Sequence, residues 1–144
     1  MTPLRQARLR QLALEVLAQR TDPAAGGEAL AAAARRAYDD LARVSSPLIG
    51  QLGVEALTAR ALHLARQEHP WLADERAPEH ANEPFAQVVV RLAGQDPSAA
   101  TEGAAAVFAT LTGLLVTFIG EPLTAGLMRQ AWPEAFSDVH TEET

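Results

Sequence analysis

The sequence predicts an all-α protein: a compact bundle of five to six helices around a buried, uncharged helix near residues 97–119. Three observations predict it. Apolar residues recur with three-four spacing in successive stretches of the chain. A polar or acidic residue precedes proline at Thr2-Pro3, Ser46-Pro47, Glu83-Pro84, Asp96-Pro97 and Glu121-Pro122, each read as a helix start. That is the pattern of a capping residue followed by the first helical position, where the missing N–H of proline costs nothing. No stretch alternates with period two apart from the short Val88-Val89-Val90, so no sheet is expected. The 144 residues suit one domain, expected over 1–132. An acidic, frayed tail is expected over 133–144.

The first helix is expected over about 3–20, with Leu9, Leu12, Ala13, Val16 and Leu17 on one face. Thr21 to Gly27 reads as a loop. A second helix is expected over about 28–44, with Leu30, Ala34, Ala37, Leu41 and Val44 inward and an alanine run that favours helix strongly. Its Arg35–Asp39 and Arg36–Asp40 spacings suit weak i,i+4 pairs on a solvated face, so Tyr38-Asp39-Asp40 is read as surface rather than as an acid cluster. A turn over 47–52 leads to a third helix over about 53–68, with Val54, Leu57, Ala61, Leu64 and Ala65 inward. The stretch from His69 to Asn82 is expected to be the longest irregular and most mobile segment. A short helix follows over about 84–93. The last two helices are expected over about 97–119 and 122–131.

The helix over 97–119 stands out. From Gly103 to Gly120 there are eighteen residues without a charge, the length at which a membrane span is considered. Dilution by glycine, alanine and threonine and the glutamates at both ends argue for burial inside the domain instead. Gly103, Ala106, Thr110, Gly113, Thr117 and Gly120 form a stripe of small residues, expected to let another helix approach closely. The alanine-rich second helix is the expected neighbour, with a self-association seam and the floor of an apolar ligand cavity as the functional alternatives. Phe108, Leu111, Leu115 and Phe118 form a bulky stripe, which together with Phe85 is the candidate lining of an apolar pocket.

A weak internal echo is also present. Leu48-Ile49-Gly50-Gln51 is followed by Leu57-Thr58-Ala59, and Phe118-Ile119-Gly120-Glu121 by Leu123-Thr124-Ala125, with a tryptophan further downstream in both. Compositional bias toward Ala, Leu and Gly accounts for it without a duplication.

Composition excludes several chemistries. There is no cysteine, hence no disulfide, thiolate metal site or thiol nucleophile. All twelve basic residues are arginine, which excludes a phosphate-loop lysine and Schiff-base catalysis. The net charge of −6 and the scattered arginines, apart from Arg5, Arg8 and Arg10, argue against a nucleic-acid partner. His63, His69 and His80 lack the spacing that places metal ligands on one helix face, although acids surround His69 and His80. Ser45, Ser46, Ser98 and Ser137 sit in no nucleophile elbow, and Gly26-Gly27 in no phosphate loop. His63, with Ala56, Ala59, Arg60 and Arg66 near it, is the one helix-borne candidate for a phosphorelay histidine.

No cofactor and no metal are expected, and the chain is expected to be cytoplasmic, with a composition that suits a GC-rich bacterial genome. No motif identifies a family. The expected function is a non-enzymatic interaction or regulatory module, working through a protein partner or through self-association as a homodimer. A helical pocket for a small apolar ligand is the alternative. A metal- or histidine-dependent enzyme, or a phosphorelay module, is third.

Overall fold

The longest helices are the two richest in small side chains. In the computed structural model, which describes residues 5–21, 26–72 and 84–136, α2 (Gly27–Ile49) and α5 (Pro97–Ile119) each contain 23 residues. Around them lie α1 (Gln6–Arg20), α3 (Gln51–Glu68), α4 (Pro84–Ala93) and α6 (Glu121–Ala131). Single 3-10 turns follow α3 (Pro70–Leu72) and α6 (Pro133–Phe136). No strand occurs among the described residues.

Local chemistry sets the boundaries. The Asp96 carboxylate accepts the Ala99 N–H at 3.3 Å and Pro97 opens α5, a cap worth about 1 kcal/mol. Ser46-Pro47 does not start a helix, contrary to the sequence reading. Pro47 lies inside the last turn of α2, where the Ser46 hydroxyl donates to Ala42 O at 2.7 Å. Only the bond to the carbonyl of exposed Arg43 is lost there, so the helix continues to Gly50.

Gly50 and Gly120 are one-residue joints. Gly50 has φ 83°, ψ 155° and Gly120 has φ 94°, ψ 157°, a region open essentially to glycine alone. Gly50 N–H closes α2 onto Ser46 O at 2.7 Å, and its carbonyl accepts Val54 N–H to open α3 at 3.0 Å. Gly120 does the same between Val116 O (2.9 Å) and Thr124 N–H (3.1 Å). No loop separates the helices at either joint.

These joints belong to a structural repeat. α2 and α5 start and end seventy residues apart, as do the joints. The caps after α3 and α6, His69 (φ −129°, ψ 80°) and Trp132 (φ −131°, ψ 64°), share a conformation and both lead into a 3-10 turn. The packing repeats as well. α1 and α3 clad α5, whereas α4 and α6 clad α2; the first 3-10 turn packs on α4 and the second on α1. Two halves therefore interlock, each supplying the neighbours of the other's long helix. Only the first part of the sequence echo, Leu48 to Gln51 against Phe118 to Glu121, falls in this register; Leu57-Thr58-Ala59 does not match Leu123-Thr124-Ala125, because Leu57 corresponds to Leu127, and Tyr38 corresponds to Phe108. α3 is longer than α6 by seven residues, 18 against 11.

At the centre, buried aromatic rings from both halves touch in series. Tyr38 stacks on Phe85 (4.2 Å, 6°), Phe85 meets Phe108 (5.6 Å) and Phe108 meets Trp132 edge-on (5.6 Å, 86°). Such contacts add about 0.5–1.5 kcal/mol each beyond burial. The polar ends of these rings are satisfied: Tyr38 OH pairs with Thr58 Oγ1 at 2.9 Å, and Trp132 Nε1–H donates to Ala37 O at 3.0 Å. Tyr38 is thus core, whereas Asp39 forms the exposed pair with Arg35 that its spacing suggests. Asp40 is taken by Arg20 (2.8 Å) and Arg43 (3.5 Å) rather than by Arg36.

The inward face of α3 also differs from expectation. Thr58 and Leu62 are fully buried, while Leu57 and Leu64 are half-buried. The folded chain extends beyond 132, because Pro133–Phe136 form a turn with Ala135 buried and Glu134 bound to Arg20. Residues 137–144 of the expected tail and 73–82 of the expected irregular segment lie outside the described residues; His69 to Leu72 form the cap and turn after α3.

Because both joints occupy a glycine-only region, Gly50→Ala and Gly120→Ala are each expected to destabilise the fold by about 1–3 kcal/mol. Urea unfolding of the two variants checks this, and near-equal losses are expected from equivalent joints.

Candidate functional site

Apolar residues near a helix end are normally covered by the connecting loop. At Gly50 and Gly120 there is no loop, so the side chains beside each joint stay open. Among the described residues five large hydrophobic side chains are exposed, and four flank the joints: Leu48 (49%), Leu52 (81%), Phe118 (64%) and Leu123 (53%). The fifth, Val90, lies on α4. Pro47 and Pro122 are exposed beside them, with Ile49 and Ile119 half-buried.

Both joints share one end of the bundle. Tyr38, Leu41, Ser45 and Ile49 of α2 line one cavity with Val54 and Leu57 of α3 and with Leu111 and Leu115 of α5. The start of α3 thus lies beside the end of α5, while Trp71 after α3 meets Gly103 near the start of α5; α3 runs against α5 and brings Gly50 to the end that carries Gly120. The N–H and C=O of both glycines are bonded within the helices, while the first N–H groups of α3 and α6 and the last C=O groups of α2 and α5 are left to solvent, as at any uncapped helix end. The large side chains beside the joints offer a partner hydrocarbon.

The stripe of small residues is divided by the structure. Gly103 and Ala106 are buried, Thr110 and Gly113 half-buried, Thr117 exposed, and Gly120 is the joint. The close neighbour is not α2, as the sequence suggested. A Cβ placed on Gly103 would lie 2.5 Å from the Trp71 ring, whereas one on Gly113 would make ordinary contacts with Gln6 and Leu9 of α1 at 3.5–3.6 Å. α2 and α5 instead face one another through larger residues, Tyr38 and Leu41 against Leu111 and Leu115, around the shared cavity.

The expected apolar pocket does not assemble as a set. Leu111 and Leu115 line that cavity, but its volume is about 10 Å³, room for one water rather than for an apolar ligand. The buried Ser45 hydroxyl on its wall has no partner. Phe85 and Phe108 are spent in the aromatic series. Phe118 is exposed beside its joint, as is its counterpart Leu48. An open groove of about 440 Å³ between α2 and α3 is walled by Asp39, Arg43, Gln51 and Glu55. Their charges are engaged locally, Asp39 with Arg35, Arg43 with Asp40 and Gln51 with Glu55.

Charged and histidine side chains mostly serve the fold. Arg20 joins Asp40, Glu134 and Ala131 O at 2.8–3.2 Å. Burial alone would lower its pKa, but the hydrogen bonds to Asp40 and Glu134 outweigh that and raise it, so it stays charged. Matching hydrogen bonds tie the halves together: Arg91 Nε donates to Trp71 O (2.7 Å) and Gln19 Nε2 to Glu134 O (3.3 Å). His63 is exposed, and His69 lies edge-on to Trp71 at 6.1 Å. No group of three His, Asp or Glu residues fit to hold a metal occurs among the described residues; His80 and its acidic neighbours at 74, 75, 79 and 83 lie outside them. α5 is long and apolar enough to cross a membrane by composition, with a mean hydropathy of 1.7, yet 56% of that stretch is buried within the fold.

Comparison with family models, curated proteins and solved structures finds no match for this chain. The joints at Gly50 and Gly120, which form the candidate site, carried a signal in the sequence: Ile-Gly followed by Gln or Glu, twice, at equal distance from two long helix starts.

The contrast between two glycines of the stripe is testable by denaturation. Gly103→Ala forces a Cβ into the Trp71 ring and is expected to cost about 1–3 kcal/mol, with a change in tryptophan emission. Gly113→Ala has space and is expected to gain about 0.5–1 kcal/mol from helix propensity.

Proposed function

We propose that this protein is a non-enzymatic helical interaction module, regulatory in role, that works through protein–protein contacts made by the apolar end around Gly50 and Gly120. The observation that carries this reading is the placement of Leu48, Leu52, Phe118 and Leu123 there. Exposed apolar residues scattered singly need no explanation, whereas large ones gathered at one end mark contact surfaces. The engaged polar groups of the α2–α3 groove and the one-water cavity support the same reading against an enzyme or a ligand pocket. The absence of cysteine suits a cytoplasmic setting, which we include in the proposal.

A photo-activatable cross-linking residue at position 52 or 118, irradiated in intact cells, is expected to give discrete protein adducts that Leu123→Glu abolishes. The same residue at exposed His63 is expected to give none. Equal labelling from 63 and 52, or no protein adduct from 52 and 118, would contradict the reading.

A further inference from the structure

We infer that the partner of the apolar end is a second copy of this chain, a conclusion that rests on the interaction-module reading above. The two joints are structural equivalents at one end of the bundle, so the end has approximate two-fold symmetry of its own. When two copies meet end to end, the corner at Gly50 in one opposes the corner at Gly120 in the other, and the reverse contact forms at the same time. That reciprocity is what an isologous dimer requires.

The area is of the right order. Leu48, Leu52, Phe118 and Leu123 leave roughly 450–500 Å² of side chain open, taking about 180–220 Å² for each residue when fully exposed. That lies in the upper half of the ~300–600 Å² range for the largest patch on a monomer. Pro47, Pro122, Ile49 and Ile119 bring the end toward the ~800 Å² per partner of a standard interface. The glycine N–H and C=O groups are bonded within the helices, so the backbone that loses water on contact is confined to the terminal N–H and C=O groups of the adjoining turns.

Charge argues against a bilayer as the occupant. Surfaces that lie on anionic membranes carry a basic rim. Here the charged residues closest to the joints in sequence are Glu121 and Glu55, lysine is absent and the net charge is −6.

The test is sedimentation velocity of the full chain between about 1 µM and about 1 mM. The parent is compared with Leu52→Glu, Phe118→Glu, the milder Leu52→Ser, and Val90→Glu as a control on the other exposed apolar residue. The parent is expected to be a reversible dimer. Leu52→Glu and Phe118→Glu are expected to weaken it at least about tenfold with unchanged circular dichroism, Leu52→Ser to weaken it less, and Val90→Glu to leave it intact. A monomeric parent, a dimer indifferent to positions 52 and 118, or one disrupted by Val90→Glu would overturn the inference. So would co-sedimentation of the parent with phosphatidylcholine vesicles that Leu52→Glu abolishes. A monomeric parent that still gives adducts to another protein from position 52 in cells overturns only self-association. A monomer with no such adduct overturns the interaction-module reading as well.

Discussion

The constraint on which the structure depends is a backbone conformation held twice, at Gly50 and Gly120. Positive φ with extended ψ lets one residue end a 23-residue helix and begin the next. A residue with a Cβ would need a longer connection, which would bring polar loop residues over the helix ends. Because glycine does the work alone, α3 and α6 leave their long helices at once, and each lies across the long helix of the other half. The same economy leaves Leu48, Leu52, Phe118 and Leu123 uncovered. Architecture and candidate site are two consequences of one local geometry.

Interlocking gives the two halves a common core. α5 is walled by α1 and α3 from the first half, and α2 by α4 and α6 from the second. The aromatic series crosses the boundary at Tyr38–Phe85 and stays within the second half from Phe85 to Trp132, whose indole N–H returns to Ala37 O in the first. Arg91 and Gln19 repeat the arrangement at the periphery, each holding a carbonyl of the other half's 3-10 turn. This one pair of polar contacts recurs as the packing does, whereas Arg10–Glu102, Arg20–Glu134 and Arg66–Gln87 each join the halves once.

Much of the fold was legible in the sequence because helix signals are local. Asp96-Pro97 and Glu121-Pro122 marked true starts, and the three-four spacing of Leu9, Leu12, Ala13, Val16 and Leu17 marked a true buried face. Ser46-Pro47 misled, because proline is tolerated in a last turn when the carbonyl it orphans belongs to an exposed residue. Tyr38 misled because its neighbours Asp39 and Asp40, exposed and half-buried, lie about 100° and about 200° round the helix from it. The neighbour of the small-residue stripe was not legible at all, since which helix lies against Gly103 depends on the interlock and on Trp71. The echo around Gly50 and Gly120 contained the decisive information. It was hidden because the halves agree in burial pattern and backbone conformation more than in residue identity: alanine answers alanine at 34 and 104, but tyrosine answers phenylalanine at 38 and 108.

The most direct measurement of this architecture is complementation by separate halves. Residues 1–78 and 79–144, made as two chains, each lack the elements that make most of the packing on their own long helix. Circular dichroism of either chain alone is expected to show little stable helix and no cooperative unfolding. The equimolar mixture is expected to recover the helix content of the intact chain in a one-to-one complex. A half that folds cooperatively by itself, or a mixture no more helical than the sum of its parts, would contradict the interlocked arrangement.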